Sequence, residues 1–326
     1  MNEPAYETRP AEPHADGGEG GTTVLVAFAA NLLIAVAKTV AAVLSGAASM
    51  LAEAAHSWAD AGNEVFLLIA QRKAARPPDE SHPYGYGQEI YVWSMFAAIG
   101  LFAVGAGVSV THGIQSLLHP EPAGNLTIAY VVLGVSALLE GISFVQARRS
   151  AKEAARRAQR GLWEHVLRTS DPTVRAVLLE DAAALIGIAI ALIGIAAHQI
   201  TGSAAPDAIA SILVGTLLGI VAVVLIDGNR RFLVGEVADD HLWNAALDVL
   251  TAQPEVERVT RLRLSMVGAG KVLLTGAVDL IGNADEQTSA RQLAELQRRA
   301  VQHPMIVLAL LSLSAPDEES LTPRAT

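Results

Sequence analysis

Ser49–Ala70, SMLAEAAHSWADAGNEVFLLIA, has the length of a membrane-spanning helix, yet it carries Glu53, His56, Asp60, Asn63 and Glu64. Their spacings of three, four, three and one keep most of them on a single helical stripe. His56 and Asp60, four residues apart, stack on one face one turn from each other. A bilayer offers no water to solvate an imidazole or a carboxylate. Residues of this kind inside a span therefore face a bundle interior, where they handle ions or protons. The other reading, a polar face that only packs helices by hydrogen bonding, is the costlier one. Each ionisable group adds a few kcal/mol of desolvation that Ser, Thr or Asn would avoid.

The rest of the chain supports a membrane setting. Of 326 residues, 52% are hydrophobic and 17% charged, with a mean hydropathy of +0.37, too apolar for an ordinary soluble domain. Stretches of spanning length, roughly 20 residues each, recur at Thr22–Leu44, Ser49–Ala70, Gln88–Leu118, Leu126–Gln146, Val174–Gln199 and Pro206–Asp227. Continuous apolar runs specify helices, not a barrel. The loops set the orientation. Arg72, Lys73 and Arg76 follow the second span, Arg148, Arg149, Lys152, Arg156, Arg157, Arg160 and Arg168 the fourth, and Arg230 and Arg231 the sixth. The opposite loops SGAA, HPEPAGN and HQITGSAA hold no Lys or Arg, so both termini are expected in the cytoplasm.

Four segments are expected. Residues 1–21, acidic and rich in Pro and Gly, read as a disordered cytoplasmic tail with His14 a bystander. Residues 22–231 form a six-helix transport domain. Residues 232–315 have the rhythm of a small soluble unit. DDHLWNAALDVLTAQ is helical after an Asp cap, RVTRLRLSMV and KVLLTGAVDLIG alternate as strands around GAGK, ADEQTSARQLAELQRRAVQ is helical and MIVLALLSLS is a strand. This αββαβ order predicts a cytoplasmic α+β, ferredoxin-like unit with helices on one face of a small sheet. Residues 316–326 read as a disordered tail. The fold class is thus an α-helical membrane protein with a cytoplasmic C-terminal domain.

The absence of cysteine excludes disulfides, thiolate metal sites and cysteine nucleophiles, leaving His, Asp and Glu as metal ligands. The net charge of −10 would by itself argue against anionic partners, but the acidic residues crowd the two tails and the C-terminal third, so charge location matters more than the sum. No nucleic-acid partner is expected. In the fifth span, VRAVLLEDAAALIGIAIALIGIAA, Glu180 and Asp181 are adjacent and point about 100° apart. Asp181 is the stronger ligand; Glu180 is a fourth ligand, a proton carrier or the partner of a basic residue. One imidazole with two or three carboxylates suits Zn²⁺, with Mn²⁺, Fe²⁺ and Co²⁺ permitted. Because such ligands shed protons to bind, metal loading is linked to proton release. Lys38 is expected to neutralise a carboxylate of the second span. Glu140 pairs with loop arginines or relays protons, Asp207 opens the sixth helix, and GLFAVGAGVSV permits close helix packing.

In the order of its elements the chain resembles the cation diffusion facilitator family of divalent-metal transporters. HSWAD resembles the family's HxxxD pattern, DESHPYGYGQEIYVW its loop between spans two and three, PDAIASILVGTLLG its sixth span, and the αββαβ unit its cytoplasmic dimerisation domain. The resemblance implies Zn²⁺ or a related cation as cargo, with no prosthetic group. It implies a site between spans two and five, alternating access coupled to protons, and a homodimer. By position it carries over His56, Asp60 and Asp181. The fourth position is Val177, which has no donor atom, leaving Glu180 or water to replace it. Asp79 and His82 match loop ligands of some members, but Tyr86 stands where a second His can occur, which favours a folded turn. His241 and His303 are too few for a binuclear C-terminal site.

The leading expectation is therefore a secondary active antiporter, not an enzyme, that exports Zn²⁺ from the cytoplasm across the cell (inner) membrane in exchange for protons. A membrane scaffold that transports nothing and binds partners through its C-terminal unit is the alternative. An intramembrane metallohydrolase would need a motif such as HExxH, which is missing.

Overall fold

The computed structural model describes residues 19–120, 124–282 and 284–324, with side chains from residue 28 onward. The expected N-terminal tail through Gly18, His14 included, falls outside the described residues. Six long helices follow one another: α1 (Glu19–Ser45), α2 (Ala48–Ala74), α3 (Glu89–Leu118), α4 (Leu126–Arg157), α6 (Pro172–Thr201) and α7 (Ala205–Leu233), with the short α5 (Leu162–Arg168) between α4 and α6. Five of the six are long and apolar enough to cross a membrane. The exception is α2, whose 27 residues match the others in length but whose ionisable stripe lowers its hydropathy. It packs against α1, α3, α6 and α7 and occupies the middle of the bundle. The charges that disqualify α2 by composition are tolerated because protein surrounds them instead of lipid.

The α3–α7 pair shows why small residues recur. A Cβ on Gly113 would stand 2.9 Å from the Ala208 carbonyl, and one on Gly215 would stand 2.9 Å from Ser109 Cβ. Both glycines, which lie outside GLFAVGAGVSV, let the two backbones approach closely. Within α3, Leu101–Gly107 widens to a π-helical stretch, which hydropathy does not reveal. The start of α2 is also held from a distance. Ala47 offers no side-chain cap, and Asp207 in the first turn of α7 accepts from the amides of Ala48 (2.5 Å) and Ser49 (3.3 Å) and from the Ser49 hydroxyl. Asp207 thus lies at the start of its own helix as expected, but its carboxylate satisfies the orphan donors of another.

The C-terminal unit follows the expected αββαβ order: α8 (Asp240–Thr251), β1 (Val256–Gly268), β2 (Lys271–Leu280), α9 (Glu286–Val301) and β3 (Ile306–Leu313). Asp239 and Asp285 cap the two helices by accepting from Leu242 and Thr288. Strand β2 is central, antiparallel to β1 across a tight turn and parallel to β3. Alternate residues Leu262, Leu264 and Met266 of β1, with Val272 and Leu274 of β2, bury one core with Trp243, Leu247 and Leu296 of the helices. That core continues into the bundle through Ala70, Ile90, Tyr91 and Phe232. Tyr91 stacks on Phe232 at 5.2 Å and donates to the Ser170 carbonyl at 2.9 Å, while the Gly270 amide donates to Ser170 Oγ at 3.1 Å. The unit therefore docks on the end of the bundle that bears the basic loops.

The expected disordered tail 316–326 is corrected over its described part. Leu321 donates its amide to the Val259 carbonyl at 2.8 Å, Glu318 accepts from Thr260 and Arg261 at 2.7 Å each, and Arg324 pairs with Asp240 at 2.8 Å over the Trp243 ring. Composition alone suggested disorder. The open edge of β1 nevertheless supplies backbone and charged partners that the tail satisfies.

Candidate functional site

Three of the five polar residues of the α2 stripe, Glu53, Asn63 and Glu64, each meet a different neighbour. Lys38 of α1 donates to Glu53 at 2.9 Å, and both side chains are 0% exposed. This is the neutralisation expected of Lys38. Asn31, two turns earlier on the same face of α1, donates to Glu64 at 2.7 Å. Asn63 donates to Glu180 of α6 at 2.5 Å. These bonds pin α2 between α1 and α6, and in a low-dielectric interior each is costly to leave unmade.

His56 and Asp60 lie between these fixed points and differ from them. His56 Nδ1 and Asp60 Oδ1 face each other at 3.5 Å, beyond good hydrogen-bond geometry. Among the described residues, neither ring nitrogen of His56 nor Oδ1 of Asp60 has a hydrogen-bond partner, although all three atoms are buried. A buried donor or acceptor left unmade costs about 1–3 kcal/mol. An arrangement that keeps three of them together on one helix face suits a visiting ligand better than it suits packing.

The two α6 carboxylates diverge, as adjacent helical positions must. Glu180 reaches across to Asn63 of α2, whereas Asp181 accepts from Ser143 of α4 at 2.8 Å. In this arrangement Glu180, not Asp181, touches α2, and its partner is an amide, not a basic residue. Val177 adds no ligand. Among the described residues no three His, Asp or Glu side chains converge closely enough to hold a metal ion. The structure thus brings His56 and Asp60 together and leaves Glu180 and Asp181 beside them, each tied to a polar neighbour. Among the described residues Glu140 forms no ion pair with the loop arginines. Ser143 and Asn63 are the site neighbours that spacing could not assign. Asn63 belonged to the visible stripe, while Ser143 had no signal at all.

The loop between α2 and α3 folds as a turn. The Tyr86 hydroxyl donates to Asp79 at 2.7 Å, the amides of Ser81 and His82 donate to the same carboxylate at 3.0 and 2.9 Å, and His82 stacks on Tyr86 at 4.0 Å. Hydrogen bonds from Ser81 first and Tyr86 second hold the Asp79 carboxyl below the usual carboxylate range. A depressed carboxylate stabilises the turn in full above the ordinary aspartate value of about 3.9 and loses that contribution as pH falls below it. The protection of the Ser81 and His82 amides, taken relative to the intrinsic exchange rate at each pH, is therefore expected to hold down to mildly acidic pH and to fall on further acidification. In Tyr86→Phe the fall should begin at higher pH. An identical profile in the variant would show that the Tyr86 hydroxyl does not hold Asp79.

A bundle of membrane-crossing helices around a buried, unpartnered imidazole and carboxylate defines an intramembrane ion-handling protein. Residues 24–234 match the cation efflux transmembrane domain, and the chain belongs to that family of divalent-metal transporters, the cation diffusion facilitators. It is 34% identical over 278 residues to metal tolerance protein C4 of Arabidopsis thaliana, covering 84% of this chain and 61% of that protein. It is 34% identical over 283 residues to the human mitochondrial proton-coupled zinc antiporter SLC30A9, covering 85% of this chain and 50% of that one. Magnetosome protein MamM of Paramagnetospirillum magneticum is more distant, 26% identical over 300 residues, with 90% of this chain and 87% of the relative covered. The chain thus spans about half to three-fifths of the first two relatives.

Proposed function

We propose that this chain is a Zn²⁺/H⁺ antiporter that works by alternating access, with His56 and Asp60 of α2 and Asp181 and Glu180 of α6 as its cation ligands. The observation that carries the reading is the pair of His56 and Asp60 in the middle of the bundle, whose buried ring nitrogens and Oδ1 have no hydrogen-bond partner among the described residues. An imidazole and carboxylates make a borderline donor set that suits Zn²⁺ and admits Mn²⁺, Fe²⁺ and Co²⁺. A relative described as a proton-coupled zinc antiporter supports the same cargo.

Completing the coordination requires the α6 carboxylates to exchange their bonds to Asn63 and Ser143 for the cation. A rotation or rocking of α6 against α2 would make that exchange, the kind of motion by which transporters open a midplane site alternately to either side. Cation binding displaces protons from His and carboxylate ligands, which couples the two flows. Export from the cytoplasm across the cell membrane would draw on the proton gradient and on the membrane potential, worth about 2.3 kcal/mol per charge per 100 mV. The orientation, with both termini cytoplasmic, draws support from the basic loops gathered at the end where the αββαβ unit docks. That unit would serve a homodimer.

Purified protein in vesicles with an imposed pH gradient tests the reading, with Zn²⁺, Mn²⁺, Fe²⁺ and Co²⁺ in competition. pH-driven flux with Zn²⁺ preferred is expected. No flux of any of the four would leave the non-transporting scaffold as the better account. Glu180→Gln separates a ligand from a structural residue. The amide keeps an acceptor for Asn63, so the protein should fold normally while Zn²⁺ affinity and the pH dependence of flux both change. If neither changes, Glu180 serves only to join α6 to α2.

A further inference from the structure

At the end of the bundle opposite the αββαβ unit, a cavity of about 630 Å³ opens between the last turns of α1, α3 and α6 and the first turns of α2 and α7. Three imidazoles line it: His112 in the last turns of α3, His119 just after that helix, and His198 in the last turn of α6. No Lys or Arg is among the lining residues, and the three loops at this end of the bundle carry none. His198 is 8% exposed, and its buried Nδ1 has no hydrogen-bond partner among the described residues. His112 is half-buried, with Nδ1 3.5 Å from Ser116 Oγ, and His119 is exposed. Asp207 also borders the cavity, but its carboxylate is committed to the start of α2.

Three imidazoles around a space lined by no Lys or Arg side chain form a donor set for a divalent transition-metal ion. A buried imidazole with an unmade nitrogen is costly in a purely structural role. We infer that this cavity is a second divalent-cation site, formed by His198, His112 and His119 and separate from the His56–Asp60 pair. The rings line the cavity without closing to coordination distance. The site therefore takes a partly hydrated cation, held more weakly than in a closed tetrahedral cage. Along α2, His56 lies eight residues from Ala48, which borders the cavity, about 12 Å at the rise of a helix. The site is thus placed to receive a cation leaving the central pair toward this side, a role that, unlike the binding itself, rests on the function proposed above.

The binding is tested on the full-length protein, without an affinity tag that contains histidine, in a His56→Ala/Asp60→Ala background that removes the central pair. Equilibrium dialysis with Zn²⁺, and with Co²⁺ for its ligand-sensitive absorption, should detect residual weak binding. Loss of a supporting second-shell group costs about 10–100-fold in metal affinity, so adding His112→Gln and His198→Gln should weaken the residual binding at least that much. His119→Gln, at an exposed position outside the helix, provides a variant whose folding is not in question and should weaken binding as well. No residual binding in the His56→Ala/Asp60→Ala protein overturns the inference. So does residual binding that survives His112→Gln/His198→Gln, since the metal then lies elsewhere. The two readings fail separately. Flux without residual binding removes only this second site, and residual binding without flux in the unaltered protein removes only the transport reading.

Discussion

Asp60→Ala is expected to reduce pH-driven metal flux in vesicles to background while the protein remains folded. The two halves of this expectation have one physical origin. Asp60 Oδ1 is buried and makes no hydrogen bond among the described residues, so its removal deprives no neighbour of a donor or acceptor. It also relieves the fold of a poorly solvated carboxylate. Buried polar atoms whose removal is harmless to the fold are those kept for a ligand. The measurement is flux beside a thermal unfolding curve in detergent, with an unchanged or slightly raised midpoint as the structural control. Wild-type flux in the variant would take Asp60 out of the site, and a large fall in the midpoint would show that its role is structural.

The opposite behaviour is expected at Lys38 of α1, whose partner Glu53 lies two turns before Asp60 on α2. Lys38 and Glu53 form an ion pair at 2.9 Å with both side chains 0% exposed. Glu53 also sits tightly against α6, since a Cβ on Gly187 would stand 2.5 Å from its Oε1. Lys38→Met strands that carboxylate in the bundle core. Removing one partner of a buried pair costs about 3–5 kcal/mol, whereas replacing both with neutral groups of similar volume is often harmless. Lys38→Met alone should therefore unfold at a markedly lower temperature, and Lys38→Met/Glu53→Gln should recover most of the loss. If the single variant is as stable as the wild type, the pair does not act as a structural unit. If the double variant folds but fails to transport, Lys38 or Glu53 takes part in coupling as well.

Much of this was legible in the chain itself. The six helices follow from apolar runs of spanning length, and the αββαβ unit from a change of period near Gly235. Each signal is local, because hydropathy and periodicity report what a segment must bury whatever its neighbours do. The polar stripe of α2 was also visible, since i, i+3, i+4 spacing is a property of one helix. Ser143, by contrast, is an ordinary polar residue of α4 until α6 places Asp181 against it. The Asp207 carboxylate reaches a helix start more than 150 positions away in sequence. The C-terminal tail looked disordered because its partners, the β1 edge and Asp240, are distant in the chain.

The sequence by itself therefore determined the membrane class, the helix count and the pairing of His56 with Asp60, because one helical turn brings those two side chains together in any context. Only the tertiary structure decided that Lys38 is spent on Glu53 and that Glu180 turns to α2 while Asp181 turns to α4. Successive helical residues diverge by about 100°. Which of two adjacent carboxylates faces a site is set by how the helix is rotated against its neighbours, and that rotation is fixed by packing along its whole length.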